Sequence, residues 1–153
     1  MDSLILRNAE AKDVKEIAAL EKVCFSDPWS EDLVRADVVD NCDISTYILA
    51  ENHKDEIIGY IGIWTVADEC QINNVAVRPD YRNQGIGALL VGTVLTASED
   101  AGIKYWTLEV RETNEAAITL YKHMGFKEIA RRPKYYDDGE ACLVMAKGKR
   151  NEG

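Results

Sequence analysis

The sequence predicts a single α/β domain, of the α+β kind, and three observations point there. Seven short runs rich in β-branched and aromatic residues are interleaved with four longer runs whose apolar residues recur at helical spacing. One strand run, ending Val75-Ala76-Val77-Arg78, leads through a glycine-bearing loop, Gln84-Gly85-Ile86-Gly87, into an apolar helix. A length of 153 residues suits one hydrophobic core, so one domain is expected over 1–153, with its core at about 4–147.

Taken in order, an apolar run at residues 4–6 predicts the first strand. A helix follows over 13–24, with Asp13 as its cap and Val14, Ile17, Ala18 and Leu20 as its core face. Pro28 separates it from a second helix whose N-cap is Ser30, with Glu31 and Asp32 in the first turn, where negative charge suits the helix dipole. Leu33, Ala36 and Val38 or Val39 are expected to face inward. Residues 44–51 and 57–66 read as a hairpin around the polar turn 52–56, and Gly59 and Gly62 inside its second strand point to a bulge or to close backbone packing. The next strand, 70–77, is halted by Pro79, which has no N–H for a sheet ladder and holds Arg78 extended. Such a strand must leave its last carbonyls and amides free if it is to meet a ligand. The helix beyond the loop runs to about Ala101 and ends at Gly102. In the strand at 105–110, alternation puts Tyr105, Thr107 and Glu109 on one face and Trp106, Leu108 and Val110 on the other. A helix opened by Asn114 carries Ala117, Ile118 and Tyr121 on the same side as Asn114 and ends at Gly125. Strands at 127–132 and 142–147 close the pattern, leaving 148–153 as a frayed end.

The strand, glycine loop and helix at 74–90 carry the chemistry. The first amides of that helix have no internal partner and point together from the positive end of the macrodipole, so they can receive an anion. Gly85 and Gly87 lack a Cβ, which lets a phosphate approach the backbone and frees φ. A dinucleotide loop wants a third small residue where Leu90 stands, and a P-loop wants Gly-Lys-Ser/Thr, which the chain lacks. What is present is Arg82-x-x-Gly85-x-Gly87, for which the bland alternative is a tight turn before a helix.

This pattern in this setting resembles the acetyl-CoA signature of the GNAT family of N-acetyltransferases, Arg/Gln-x-x-Gly-x-Gly/Ala, and the resemblance extends over roughly residues 4–145. It implies a GNAT-type domain, with a mixed, mostly antiparallel seven-stranded sheet flanked by about four helices. It implies acetyl-CoA as cosubstrate, with the loop of Arg82, Asn83, Gln84, Gly85, Ile86, Gly87 and Ala88 around the diphosphate. Pantetheine would lie beside Val75, Ala76 and Val77, a backbone N–H near Val77 polarising the thioester carbonyl. The cosubstrate would then enter between the strand ending at Val77 and the strand ending at Glu109.

Within the family, Pro28-Trp29-Ser30, the 69–77 segment, Leu108-Glu109-Val110-Arg111, the run from Asn114 to Phe126, and Arg131-Arg132 with Tyr135-Tyr136 are similar to the RimI branch. That branch acetylates the N-terminal alanine of protein eighteen of the small ribosomal subunit. An N-terminal amine, with a pKa near 8, attacks a thioester only as the free base. The resemblance gives that deprotonation to Glu109 as general base, acting directly or through water, and the protonation of the departing CoA thiolate to Tyr121 as general acid. It also has Asn114 and Tyr121 contacting CoA. Phe25, Trp29, Asn74, Tyr135 and Tyr136 would hold the first residues of the acceptor, and Asp137, Asp138 and Glu140 would attract its basic ones. Each residue has a plainer alternative: a salt bridge to Arg111 or another neighbour for Glu109, a core position for Tyr121, a helix corner for Phe25 and Trp29, and a solvated loop for Tyr135 and Tyr136.

Composition narrows the rest. A formal net charge of -9 argues against nucleic acid and fits either a basic polypeptide partner or a solvated acidic surface. Four scattered cysteines without a C-x-x-C pair, and two histidines, indicate reduced thiols, with neither a metal site nor a disulfide framework. No apolar run approaches bilayer-spanning length and the start lacks signal-peptide character, so a cytoplasmic protein away from membranes is expected, as a monomer. Two other functions stay open: a relative acetylating a small-molecule amine or a lysine side chain, and an acyl-CoA-binding regulatory domain without turnover.

Overall fold

The computed structural model describes residues 3–150. Its strands are β1 (Ile5–Asn8), β2 (Ser45–Glu51), β3 (Ile57–Val66), β4 (Glu69–Val77), β5 (Tyr105–Arg111), β6 (Lys127–Arg132) and β7 (Cys142–Gly148). The α-helices are α1 (Val14–Cys24), α2 (Glu31–Arg35), α3 (Ile86–Asp100) and α4 (Glu115–His123). The strands form one sheet in the order β1-β2-β3-β4-β5-β7-β6, and every neighbouring pair is antiparallel except β4 with β5. One face is filled by Leu90, Val94, Trp106, Leu108, Tyr121 and Phe126, which bring in α3 and α4. On the other face Ile17, Val34, Leu49 and Tyr60 bring in α1 and α2. The expected mixed sheet with helices on both sides is therefore present.

The parallel pair sets up the site. Pairing between β4 and β5 runs from Glu69↔Tyr105 to Ile72↔Leu108 and stops. There β4 carries a bulge: Ile63 pairs with Ile72 but Gly62 with Asn74, so Asn73 is the extra residue. A bulge bends its strand and raises its twist, and beyond it β4 and β5 separate. The two glycines of β3 match this place. A Cβ on Gly62 would come within 2.9 Å of the Tyr47 ring, and one on Gly59 within 2.9 Å of the Ala76 carbonyl oxygen. Both sequence alternatives, bulge and close packing, are realised.

Three local expectations change. Asp13 does not cap α1. A 3-10 turn, Ala11–Asp13, precedes the helix, and the Asp13 carboxylate accepts the Glu10 N–H at 2.7 Å and both terminal nitrogens of Arg7 at 2.8 Å. The second helix does start at Ser30, whose Oγ accepts the Leu33 N–H at 3.2 Å, but after Arg35 it loosens into a π-turn over Ala36–Asp40. That turn rotates the inward face, so Val34 and Asp37 are buried while Leu33 and Val39 are exposed. Asp37 is satisfied by the Tyr47 hydroxyl and the Trp64 Nε1–H, each at 3.1 Å. Finally, the tail does not fray at Gly148: β7 reaches it, the Lys149 N–H donates to the Lys104 carbonyl at 3.0 Å, and the Arg150 guanidinium lies 4.9 Å over the Tyr105 ring. Residues 151–153 of that expectation lie outside the described residues.

Candidate active site

The loop between β4 and α3 is built to expose amides. Gly85 is the N-cap of α3 with φ +80°, and Asn83 has φ +63°. A Cβ on Gly85 would meet nothing within 4 Å, so its backbone conformation, rather than lack of room, calls for glycine. Gly87 has helical φ, and a Cβ there would sit 3.6 Å from Leu120, an ordinary contact. The first bond of the helix is Leu89 N–H to Gly85 carbonyl at 2.9 Å. The amides of Ile86, Gly87 and Ala88 therefore have no helical acceptor, and they point outward along the dipole. Arg82 pins the loop to the strand: its Nε donates to the Val77 carbonyl at 3.0 Å, and the Cys24 thiol reaches the same oxygen at 3.5 Å. The last carbonyl of β4, expected to be free, is taken.

The amides of β4 divide by alternation. The Arg78 N–H donates to the Ile58 carbonyl of β3 at 2.7 Å. Successive residues turn their N–H and C=O to opposite edges, so Ala76 and Asn74 address β3 while Val75 and Val77 address the edge that β5 has left. Ala76, expected beside the cosubstrate, instead commits its backbone to the ladder and its buried side chain to the α1 side of the core.

Where β4 and β5 part, a cleft of about 720 Å³ opens. Phe25, Trp29, Asn74, Val75, Glu109, Asn114, Tyr121, Tyr135 and Tyr136 all line it, so the two residues given proton-transfer roles and all those assigned to hold the acceptor's first residues meet in one place. The loop 82–88, Ala76 and Val77 lie off its walls. Trp29 packs against Trp64 at 6.4 Å, and the rings of Tyr135 and Tyr136 stand edge to face at 5.0 Å. Asn114 caps α4, its Oδ1 accepting the Ala117 N–H at 3.2 Å.

The salt bridge of Glu109 is made not with Arg111 but with another neighbour, Arg132, at 3.8 Å. The half-buried Glu109 carboxylate also accepts the Cys142 thiol at 3.5 Å. Burial first, and the charge of Glu109 second, push that thiol up to about 11, so it remains a donor. Tyr135 is likewise pushed up to about 12, first by a hydrogen-bonding interaction with Glu109 and then by burial. Tyr121 is 7% exposed, edge-on to Phe126 at 5.9 Å, and burial raises its phenol to about 12. Arg111 meanwhile clasps the mouth. It bonds Asp138 and Glu140 at 2.9 Å each, reaches Asp27 at 3.2 Å, and covers the Tyr136 ring at 4.0 Å. The loop before α2 is thereby tied to the loop between β6 and β7. Asp138 and Glu140, expected to attract basic residues, are committed to Arg111, and Asp137 is the acid of that loop on the cleft wall.

Sequence reading missed Glu21. It is 1% exposed, lines the cleft, accepts the Trp29 N–H at 2.9 Å and the Asn74 side-chain amide at 3.3 Å, and is pushed up to about 7, mainly by burial. The signal was present: Val14, Ile17, Ala18 and residue 21 form one i, i+3, i+4, i+7 stripe, and an acid fills the last place. Asn73 was missed too. Its Nδ2 is buried without a partner among the described residues, at the bulge and on the cleft wall.

Against families of known proteins, residues 14–126 match the model described as the acetyltransferase (GNAT) family. The chain belongs to the GNAT family. GNAT relatives similar over nearly the whole length include the ribosomal protein bS18-alanine N-acetyltransferases of Escherichia coli (strain K12) and Haemophilus influenzae. The first is 31% identical over 144 residues, 92% of this chain and 95% of the relative; the second is 33% identical over 149 residues, 93% and 97%. The crystal structure of the ribosomal-protein-S18-alanine N-acetyltransferase from Escherichia coli superposes with a TM-score of 0.89 at 28% identity, covering 99% of this chain and 97% of that one. The GNAT fold expected from the loop signature is the fold observed.

Proposed function

We propose that this GNAT protein transfers an acetyl group from acetyl-CoA to the α-amine of a protein N-terminus, most specifically the N-terminal alanine of ribosomal protein bS18. The observation that carries the reading is the cleft where β4 and β5 separate, which has a carboxylate, Glu109, and a buried phenol, Tyr121, among its lining residues. The relatives named above support the choice of acceptor.

Acetyl-CoA supplies the activated acyl group; the chain supplies grip, alignment and proton transfer. The amides of Ile86, Gly87 and Ala88 hold the diphosphate at the helix N-terminus. The Val75 and Val77 amides, on the free edge of β4, are donors for the pantetheine arm and the thioester carbonyl, and Asn114 borders the same arm. The acceptor nitrogen must lose a proton to attack, and Glu109 removes it directly or through one water. As the carbon–nitrogen bond forms and the carbon–sulfur bond breaks, Tyr121 gives its proton to the sulfur, a proton that burial keeps on the phenol well above neutral pH. Phe25, Trp29, Tyr135 and Tyr136 enclose the first acceptor residue, and Asp137 faces the basic residues behind it. Among the described residues no helix is long and apolar enough to cross a membrane, and we place the enzyme in the cytoplasm with its ribosomal substrate.

The test is acetylation by the purified protein of an Ala-starting basic peptide and of the same peptide with its α-amine blocked, read by product mass. Product from the free peptide alone is expected. Equal rates on both would move the activity to lysine side chains, and no product from either would leave a CoA-binding domain without turnover.

A further inference from the structure

Glu21 is a buried acid on the cleft wall that the transfer scheme leaves unused. It stands on the inward stripe of α1, and its two oxygens accept from Trp29, in the loop before α2, and from Asn74, on β4 beyond the bulge. Three separately built walls of the cleft therefore hang on one carboxylate. Both partners are neutral, and Asp27 nearby adds negative charge rather than relieving it. A buried carboxylate held this way is short of a countercharge, and the cleft that it lines is the side from which a cation can arrive.

We infer that Glu21 is an acceptor-binding residue: its carboxylate receives the α-ammonium of the incoming polypeptide and, through Trp29 and Asn74, sets the wall against which the first residue lies. This rests on the proposed acetylation of a protein N-terminus and adds the group that captures the amine before Glu109 takes its proton. The titratable groups around Glu21 are Cys24 on its own helix, Asp27 in the following loop, Tyr47 from β2, and Glu109 and Arg111 from β5 along the cleft. Arg111 is engaged by Asp27, Asp138 and Glu140. Burial holds Cys24 and Tyr47 in their protonated forms, whereas the Glu21 carboxyl, raised to about 7, changes charge between pH 6 and 7.5.

The experiment is calorimetric binding, with CoA present, of an Ala-starting peptide and its N-acetylated copy to wild type and Glu21→Gln, at pH 6 and 7.5. Gln matches the shape and keeps an acceptor for the Trp29 N–H. Wild type is expected to prefer the free amine by about tenfold at pH 7.5, as one ion pair allows, and to lose most of that preference at pH 6. Glu21→Gln should bind both peptides alike at both pH values, with CoA affinity within about twofold of wild type. A variant that keeps the preference, or that weakens both peptides equally, would overturn the inference. Acetylated product is scored separately, so a protein that discriminates amines without turnover would sink the enzymatic reading and spare this one.

Discussion

Replacing Glu21 with Gln should change how stability depends on pH, by an amount that follows from its burial. The side chain is 1% exposed, and its carboxyl moves from 4.5 to about 7: burial raises it, the Trp29 N–H pulls it back in part, and the charge of Asp27 pushes it further up. The folded protein thus holds this proton more tightly than the unfolded chain does. Its contribution is complete below about pH 4.5 and is lost as pH climbs through 7, a swing of roughly 3 kcal/mol. Gln does not titrate. Urea denaturation at half-unit steps from pH 4.5 to 8 should therefore show the variant gaining on wild type as pH rises and levelling above about pH 7.5. Comparing slopes removes the constant cost of any altered bond to Asn74. Parallel curves for the two proteins would mean that Glu21 is not a desolvated acid, and both its raised affinity for protons and its need for a countercharge would fall.

Other consequences concern the chemistry. Glu109→Gln should cut turnover about 10²-fold at pH 7, with the deficit shrinking toward pH 9, where the amine is already free, and with acetyl-CoA KM unchanged; a constant deficit across that range would remove Glu109 as base. Tyr121→Phe should lower kcat while circular dichroism stays native, and because burial raises the phenol to about 12, wild-type turnover should show no decline between pH 8 and 10 from loss of that proton. A full-speed Phe variant would return Tyr121 to a purely packing role. Gly85→Ala forces a side chain to φ +80° with nothing nearby to clash, so thermal denaturation should show a loss of about 1 kcal/mol and kinetics a raised acetyl-CoA KM. Arg111→Ala removes the ion pairs to Asp27, Asp138 and Glu140, so it should free the two loops at the cleft mouth and raise peptide KM by about tenfold, a cost of about 1.4 kcal/mol for re-ordering them on binding, leaving acetyl-CoA KM in place.

Much of the fold was legible because the patterns were local. β3 occupies Ile57–Val66 as read, the β5 alternation buries Trp106, Leu108 and Val110, and the ends of α3 and α4 fall where Gly102 and Gly125 take positive φ. The second helix misled because a π-turn inserts an extra residue into its period, which carries Asp37 rather than Val39 into the core. Glu109, Tyr121, Asn114 and the aromatic cleft residues are legible through their motifs, yet the gap that unites them is not, since it arises from one bulged residue, Asn73, ending the pairing of β4 with β5. In the sequence the acid nearest Arg111 on its own face of the strand is Glu109. The actual partners of Arg111 lie 84, 27 and 29 residues away, at separations that no local pattern encodes.

The central claim is that the separation of β4 from β5 holds a thioester between Glu109 and Tyr121. A crystal structure with an Ala-starting peptide joined through its α-nitrogen and an acetyl bridge to CoA measures this directly. The account predicts the diphosphate on the Ile86–Ala88 amides, the peptide nitrogen within about 3 Å or one water of Glu109, and the sulfur facing the Tyr121 hydroxyl. A sulfur outside the gap, or a peptide entering away from Trp29 and Tyr136, would contradict it.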